Sequence, residues 1–185
     1  GDTYLLKGYA GTGKTSIIGA LVQALPKHKV KTVLMAPTGR AAKVMAGYSG
    51  KPAYTIHRKI YRPKMTDGPG FSFSLSPNKH TNTLFIVDEA SMISDAAPND
   101  LFGGTQNLLS DLIAFVAAGT NCRMLLVGDL AQLPPVGQTL SPALDIRKLS
   151  GYYQLRAGHF ELTEVVRQEK DSGILANATL LRQGL

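Results

Sequence analysis

Residues 8–15 read Gly-Tyr-Ala-Gly-Thr-Gly-Lys-Thr and match the pattern Gly-x-x-x-x-Gly-Lys-Ser/Thr at every fixed position. We expect a strand over residues 3–7 just before them and a helix over residues 15–25 just after. Glycines let backbone N–H groups curl around phosphate oxygens, where side chains would block the approach. The N-terminus of the following helix would add its partial positive charge. This stretch therefore predicts a phosphate-binding loop between a strand and a helix.

The side chains of this loop have expected roles in holding ATP and Mg²⁺. Lys14 would place a positive charge at the β- and γ-phosphates, and the Thr15 hydroxyl would coordinate Mg²⁺. The alternative is a glycine-rich turn that binds no ligand. The residues expected to contact the nucleotide are Gly8, Ala10, Gly11, Thr12, Gly13, Lys14, Thr15 and Ser16.

Two further polar motifs follow apolar stretches of strand length. Asp88 and Glu89 come directly after Leu-Phe-Ile-Val at residues 84–87. Open α/β sheets bind ligands at the carboxyl ends of their strands, so Asp88 would hold Mg²⁺ beside the phosphate-binding loop. Glu89 would orient or deprotonate the attacking water. Gln132 follows the apolar residues 124–127 and would bond to a γ-phosphate oxygen, although a purely structural turn is the alternative there.

The order of the elements indicates a mostly parallel sheet with helices on both faces. Continuously apolar strands that alternate with helices are typical of an α/β fold. Thr38 stands where it would cap the second helix. The other expected strands are residues 31–36, 84–88, 123–128 and 160–163, and the other expected helices are residues 38–46, 106–118 and 172–182.

Residues 61–80 interrupt this alternation. They contain three prolines, the turn sequence Asp-Gly-Pro-Gly at residues 67–70 and the alternating run Phe-Ser-Phe-Ser-Leu at residues 71–75. This composition predicts a small inserted β-hairpin that stands out from the sheet. The alternative is a mobile surface loop.

Charge is distributed unevenly along the chain. The net charge is +7, with +11 over residues 1–83 and −4 over residues 84–185. This asymmetry favours a polyanionic partner for the N-terminal half, and a solvated basic face is the alternative.

The composition also excludes some classes of protein. No apolar run approaches the roughly 20 residues of a membrane span, so we expect no membrane partner. The single cysteine, Cys122, cannot form an internal disulfide and starts an apolar run, so we expect a buried thiol and a cytoplasmic protein. The first residue is Gly rather than Met, so we expect a fragment of a longer chain.

The chain contains six motifs, at residues 8–15, 36–42, 55–57, 88–91, 128–136 and 162–167. They occur in the order found in superfamily 1 helicases, and the chain resembles the branch that contains RecD and the phage helicase Dda. The resemblance implies that residues 1–185 are a first RecA-like motor domain of the P-loop NTPase type. It implies that residues 61–80 are a small inserted subdomain, whose counterpart in this family carries a pin that helps to split the duplex. It also implies ATP-driven translocation on single-stranded DNA from 5′ to 3′.

The resemblance further assigns residues to DNA and to catalysis. Thr38 and Arg40 lie in the motif that holds the DNA backbone, and His57 lies in the next DNA-contacting motif, although a surface or packing role is the alternative for a single histidine. Arg167 matches an arginine that reaches the γ-phosphate, and it joins Lys14, Glu89 and Gln132 as a catalytic residue. The expected contacts with single-stranded DNA and the duplex fork are Pro37, Thr38, Arg40, Lys43, Thr55, His57, Phe71 and Phe73.

Two parts of the family pattern fall outside this sequence. The glutamine motif that contacts adenine would precede Gly1, and a second RecA-like domain would follow Leu185. We therefore expect that the fragment alone binds nucleotide but hydrolyses it slowly and does not unwind DNA. Its partners would be that second domain and subunits of a helicase–nuclease or replication complex acting in DNA repair or recombination.

Two other functions remain open from the sequence. One is a P-loop ATPase or nucleotide switch without a DNA track, and the other is a binding module that has kept the motor fold for recruitment. A generic P-loop ATPase needs neither residues 36–43 nor residues 55–57, and these two stretches therefore distinguish the helicase hypothesis from the others.

Overall fold

Among the residues that the structure describes, the central sheet has six strands, and all of its neighbouring strands run parallel in the computed structural model of the chain. Strand β7 lies between β1 and β6, so the strand before the phosphate-binding loop and the strand before Asp88 are not direct neighbours. In their order across the sheet the strands are β3 (Ala53–Thr55), β2 (Lys31–Ala36), β6 (Thr83–Val87), β7 (Arg123–Gly128), β1 (Asp2–Gly8) and β8 (Arg156–Leu162).

The structure describes most of the chain, but it leaves out several segments. For Met65 and Phe71 it describes only the backbone. Arg167 and the helix expected at residues 172–182 lie outside the described residues. The described residues are 2–65, 71–96, 107–129, 131–132, 134–135, 137–138 and 141–164.

Helices cover both faces of the sheet. Successive residues of a strand point to opposite sides, so each strand contributes side chains to the core on each face. In β6, Ile86 packs with helices α1 (Lys14–Ala24) and α2 (Gly39–Ser49) on one face. Its neighbours Phe85 and Val87 belong to the core on the other face. That face is covered by α3 (Ile56–Ile60), α4 (Leu108–Ala117) and α5 (Ile146–Gly151). The α/β fold with a parallel sheet and helices on both faces is therefore confirmed.

Side-chain caps fix where the helices begin. The Thr38 hydroxyl oxygen accepts a hydrogen bond from the Ala41 amide at 3.2 Å, as the sequence predicted for the start of α2. Asn107 caps α4 in the same manner, and Asp145 caps α5. These caps satisfy backbone N–H groups that have no partner within the helix.

A separate two-stranded antiparallel sheet follows α3, formed by β4 (Tyr61–Met65) and β5 (Phe71–Leu75). Its base is joined to the main domain, because the Tyr61 hydroxyl donates to Asp111 Oδ2 in α4 at 2.7 Å. Tyr61 and Leu75 also pack against the core. Phe73, further out on β5, remains 36% exposed. The hairpin is therefore anchored at one end, with an aromatic ring accessible beyond the anchor.

Several boundaries differ from the sequence prediction. Strand β8 is longer than the predicted residues 160–163, because it pairs with β1 along its full length despite the polar sequence expected of an edge strand. Helix α2 runs three residues beyond the predicted end and stops at Gly50, whose φ of 68° ends the helix. The short elements β3, α3 and α5 were not predicted, since three to six residues are too few to reveal a period.

Cys122 is buried, as predicted, at 6% exposure, and this burial raises the pKa of its thiol. Within the part of the chain that the structure describes, no helix has the length and apolar character needed to cross a membrane.

Candidate nucleotide-binding site

The phosphate-binding loop leaves β1 at Gly8 and turns at once into α1. A Cβ atom at Gly8 would lie 2.5 Å from Thr12 Oγ1 and 3.0 Å from Leu162 Cβ, so only glycine fits where the loop and β8 approach each other. Thr12 is buried, and its hydroxyl and its amide both bond to the Tyr9 carbonyl oxygen, the hydroxyl at 2.8 Å. The turn is thus held by contacts within the loop itself.

The second half of the loop positions the lysine. Gly13 has φ 91°, a left-handed conformation that side chains disfavour, and it directly precedes the first residue of α1. Lys14 Nζ donates to the carbonyl oxygens of Gly8 at 2.5 Å and of Tyr9 at 2.8 Å. The ammonium group therefore lies inside the curve of the loop, where a phosphate would meet it.

The strand order brings three polar motifs to the same edge of the sheet. Asp88 follows β6 and Asp129 follows β7, while the phosphate-binding loop follows β1. Because β7 lies between the other two strands, Asp129 lies between the loop and Asp88 along this edge. Asp129 is buried, and its Oδ1 accepts a hydrogen bond from the Ala131 amide at 2.8 Å. It therefore shapes the turn that carries Gln132.

The Asp88 carboxylate is oriented by two hydrogen bonds. Its Oδ1 accepts from the Glu89 amide at 2.9 Å, and its Oδ2 accepts from the Tyr48 hydroxyl of α2 at 2.7 Å. Burial, together with the negative charge of Asp88, raises the pKa of Tyr48 well above its usual range. Tyr48 therefore keeps its proton and donates it to the Asp88 side chain.

Glu89 sits at the centre of the candidate site. It adopts a left-handed backbone conformation with φ 53°, which is uncommon for a residue with a side chain. Burial raises the pKa of its carboxyl group, and the charges of Asp88 and Asp129 raise it further. A hydrogen bond from Gln132 and the charge of Lys14 act in the opposite direction. The structure therefore brings the predicted Lys14, Asp88, Glu89 and Gln132 within interaction range.

Gln132 bridges two residues of the segment after β6. Besides its bond to Glu89, its Oε1 accepts a hydrogen bond from the Ser91 hydroxyl at 3.0 Å. Ser91 is fully buried, in the 3₁₀ helix Ala90–Met92 that follows the Glu89 turn. The Gln132 amide is thus held in place on the protein side, so that a displacement of Gln132 would be transmitted to Glu89.

A basic surface begins beside this edge, at the N-terminus of α2. Thr38, Arg40 and Lys43 are exposed there, while Pro37 is partly buried. Thr38 uses its oxygen to cap the helix, which leaves its hydroxyl hydrogen available as a donor.

The next predicted DNA motif lies at the start of α3. The Thr55 side chain caps α3 by accepting from the Arg58 amide at 3.2 Å. Partial desolvation lowers the pKa of His57, so its imidazole is mainly neutral at pH 7. Its ring lies 5.6 Å from the ring of Tyr61 at the base of the hairpin. Any contact of His57 with DNA is therefore a hydrogen bond or stacking rather than an ion pair.

Sequence reasoning missed a cationic cluster in this region. The Arg58 guanidinium lies 5.9 Å from the centre of the Tyr54 ring, and Lys59 Nζ lies 5.4 Å from it. The adjacent basic residues after His57 were the available signal, but a pair of charges alone does not reveal the aromatic ring between them.

The profile of a family described as "AAA domain" matches residues 1–185. The chain belongs to the AAA domain family. This assignment agrees with the phosphate-binding loop and with the arrangement of Asp88 and Glu89 at the adjacent strand end.

This AAA domain is 35% identical over 182 residues to the "ATP-dependent RecD2 DNA helicase" of Deinococcus radiodurans, covering 97% of this chain and 22% of that protein. It is 29% identical over 184 residues to the "ATP-dependent DNA helicase dda" of Enterobacteria phage T4, covering 97% of this chain and 37% of that protein. These two relatives confirm the resemblance to the RecD and Dda branch of helicases.

The same fold occurs in the crystal structure of Pif1 helicase from Candida albicans, with a TM-score of 0.62 and 21% identity over 97% of this chain and 40% of that chain. The fold is thus consistent with a RecA-like domain, as the sequence motifs implied. The AAA domain spans less than half the length of each of these three proteins.

Tyr48 carried no sequence signal, and Ser91 was marked only by its place in the motif at residues 88–91, without a role of its own. Tyr48 reaches Asp88 across 40 positions of sequence, and Ser91 reaches Gln132 across 41. Arg167 and the Phe71 side chain lie outside what the structure describes.

The arrangement predicts different effects for the two adjacent acids. Glu89→Gln should retain binding of ATP and Mg²⁺ but lower kcat by roughly 10²- to 10⁴-fold, because it removes the carboxylate expected to take a proton from water. Asp88→Asn should instead raise the Mg²⁺ concentration needed for nucleotide binding. Fluorescent-nucleotide titrations at several Mg²⁺ concentrations, alongside single-turnover hydrolysis, measure both. Equal effects on nucleotide affinity would contradict separate roles.

Proposed function

We propose that this AAA domain is the first motor domain of an ATP-dependent DNA helicase, and that it binds ATP with Mg²⁺. The observation that carries the proposal is the convergence of Lys14, Asp88, Glu89 and Gln132 at one sheet edge, with the exposed basic start of α2 beside it. Two relatives named as ATP-dependent DNA helicases support the same function.

The residues of the site fit a nucleotide triphosphate and a hard divalent cation. The loop offers backbone N–H groups and the Lys14 ammonium to phosphate oxygens, and a Cβ at Gly8 would fill part of the turn. The Thr15 hydroxyl and the Asp88 carboxylate are oxygen ligands of the type that Mg²⁺ takes, and Mg²⁺ would neutralise charge on the β- and γ-phosphates when bound. The remaining proposed nucleotide contacts are Ala10, Gly11, Thr12, Gly13 and Ser16.

The protein groups divide the chemical work between them. Glu89 orients the attacking water and accepts its proton, and its raised pKa brings its basicity closer to neutral pH. Gln132 bonds to a γ-phosphate oxygen and shares a hydrogen bond with Glu89. Binding or loss of that phosphate therefore displaces Gln132 and, with it, Glu89. Arg167 adds a positive charge at the γ-phosphate as hydrolysis proceeds.

DNA binds along the basic half of the domain in this proposal. Thr38, Arg40 and Lys43 hold phosphates at the start of α2, where the helix N-terminus adds a favourable dipole. Pro37 shapes that turn, and the motif with Thr55 and His57 continues the track toward the hairpin. A second RecA-like domain of the same protein completes the track, and translocation runs from 5′ to 3′ by analogy with the helicase branch.

The hairpin formed by β4 and β5 is proposed to act at the duplex fork, as a pin that is part of the inserted segment 61–80. Its base is fixed to α4 through Tyr61 and Asp111, and Phe73 is accessible further out. Stacking of an exposed aromatic ring on a base contributes about 1–3 kcal/mol and would hold separated strands apart. Phe71 is proposed for the same role from the sequence pattern.

The proposal is tested by ATP hydrolysis in the full-length protein with and without single-stranded DNA. Single-stranded DNA should raise kcat, and Lys14→Ala should abolish turnover in both conditions, because it removes the charge that stabilises the phosphates. The melting temperature of Lys14→Ala should stay close to that of the wild type, since the side chain lies at the site rather than in the core.

Each other outcome of this experiment identifies a different function. Hydrolysis that DNA does not stimulate would indicate a P-loop ATPase or nucleotide switch without a DNA track. Absence of both nucleotide binding and hydrolysis, with DNA or partner binding retained, would indicate a recruitment module. Near-normal turnover by folded Lys14→Ala would contradict the assignment of the site itself.

The proposed DNA track predicts a defined dependence on salt. Affinity for an oligo-dT strand should fall linearly with salt on logarithmic axes, and Arg40→Ala should reduce that slope by about 0.7, the value for one phosphate contact on a single strand. Arg156→Ala is the matched control. Arg156, on the edge strand β8, is also exposed, but it forms an ion pair with Asp2 of β1. An unchanged slope for Arg40→Ala, or equal changes in both variants, would place the DNA elsewhere.

The pin predicts a separation of unwinding from hydrolysis. Phe73→Ala should slow strand separation of a forked duplex while leaving DNA-stimulated hydrolysis and the melting temperature unchanged. If Phe73 only packs the hairpin, the melting temperature should fall, since truncation removes the apolar contacts of the ring. Phe160→Ala is the control for the general loss of an aromatic ring. Phe160 is exposed on β8, an edge strand of the main sheet.

A further inference from the structure

Tyr48 of α2 contacts the candidate metal site from a direction that no motif predicts. Its hydroxyl donates to Asp88 Oδ2 at 2.7 Å, and the two residues are separated by 40 positions in sequence. Side chains of a helix tilt toward its N-terminus, and α2 follows β2 back along the sheet, so the Tyr48 side chain leans toward the edge where β6 ends.

This contact and the Glu89 amide together restrict rotation of the Asp88 carboxylate. The Glu89 amide bonds to Oδ1 at 2.9 Å, and the Tyr48 hydroxyl bonds to Oδ2. Each carboxylate oxygen keeps a further lone pair for a cation, but rotation of the group is restricted from both sides. Outer-shell donors of this kind typically orient a metal ligand and tune its affinity.

Helix α2 also carries the exposed residues Thr38, Arg40 and Lys43 at its other end. Between the two ends, Ala42 and Met45 are buried, and Met45 packs against the sheet with Ile18 of α1. Near the end of α2 the backbone lies close to α1, because a Cβ at Gly19 would be 4.0 Å from the Tyr48 carbonyl oxygen. Helix α2 is thus one packed element that links its exposed N-terminal residues to Tyr48 in its last turn.

We propose that Tyr48 is a positioning residue that orients Asp88 for Mg²⁺ and couples the metal site to DNA bound at the start of α2. The coupling part rests on the proposed helicase function, whereas the orientation of Asp88 does not. DNA that holds Thr38, Arg40 and Lys43 fixes α2 in the position where Tyr48 bonds to Asp88. The domain therefore binds Mg²⁺ with nucleotide more tightly when DNA is present, and by reciprocity binds DNA more tightly with Mg²⁺ and nucleotide.

The competing explanation is that Tyr48 only packs between α1 and the sheet, where its ring contacts the core that contains Ile18 and Met45. Tyr48→Phe separates the two, because it keeps the ring and removes only the hydroxyl. The control is Tyr152→Phe, which makes the same change on a residue that is 76% exposed after α5.

The test titrates Mg²⁺ against binding of a fluorescent ATP analogue to the full-length protein, with and without oligo-dT. For Tyr48→Phe we expect the Mg²⁺ concentration at half-maximal binding to rise roughly tenfold, as for loss of an outer-shell donor. Nucleotide binding in EDTA and the melting temperature should match the wild type and Tyr152→Phe. An unchanged Mg²⁺ midpoint would overturn the proposal.

A double-mutant cycle with Asp88→Asn shows whether Tyr48 acts through Asp88. In the Asp88→Asn background, Tyr48→Phe should cause no further rise in the Mg²⁺ midpoint. A full additional effect would mean that Tyr48 acts by another route and would overturn the proposal. If Tyr48→Phe lowers the melting temperature, the cycle still separates the two explanations, because a packing defect would raise the Mg²⁺ midpoint in both backgrounds.

The Mg²⁺ titrations with oligo-dT separate this inference from the proposed function. If oligo-dT lowers the Mg²⁺ midpoint of the wild type, loss of that shift in Tyr48→Phe supports coupling through α2. If the wild type shows the shift and Tyr48→Phe keeps it in full, the coupling is wrong while the helicase proposal stands. If single-stranded DNA neither binds nor stimulates the wild type, the helicase proposal fails, and the Mg²⁺ midpoints alone decide whether Tyr48 orients Asp88.

Discussion

The parallel direction of all six strands in the main sheet places every strand's carboxyl end at one edge, and the site depends on that constraint. The phosphate-binding loop, Asp88 and Asp129 each directly follow a different strand. Because β6, β7 and β1 are neighbours, all three lie close together at this edge. Helices on both faces bury the strands, so their register is fixed by two apolar cores rather than one. A slip by one residue in β6 would exchange Ile86 with its neighbours between these cores and carry Asp88 away from the loop.

The same edge concentrates charge of one sign in a partly buried space. Asp88, Glu89 and Asp129 lie together, and burial raises the pKa of Glu89 with help from its acidic neighbours. Lys14 and Gln132 offset part of that cost. Such groupings of like charge destabilise a fold that has no cation to bind, and they are therefore typical of sites whose ligand brings the compensating charge. The left-handed conformation of Glu89 adds local strain at the same position.

Helix α2 links this charged edge to the basic surface. Its first turn presents Arg40 and Lys43 to solvent, its middle is packed in the core, and its last turn supplies the donor to Asp88. The neighbouring α3 begins with a threonine cap like that of α2, and it leads directly into the hairpin. The proposed nucleotide and polyanion sites are thus joined by packed elements of the main domain, which gives a physical basis for each site to influence the other.

The sequence by itself determined the parts of this protein that depend on local rules. Residues 8–15 need glycine for the backbone to enclose phosphate, and Thr38 caps the helix that follows it. Apolar runs predicted four of the six parallel strands in the described sheet, and the sequence located the end of a fifth, β8. The tertiary structure decided what depends on residues far apart in the chain: the full length of β8, the strand order that puts β7 between β1 and β6, and the contact of Tyr48 with Asp88. Periodicity reports only whether a residue faces a core, whereas the identity of its partner is set when separate elements pack together.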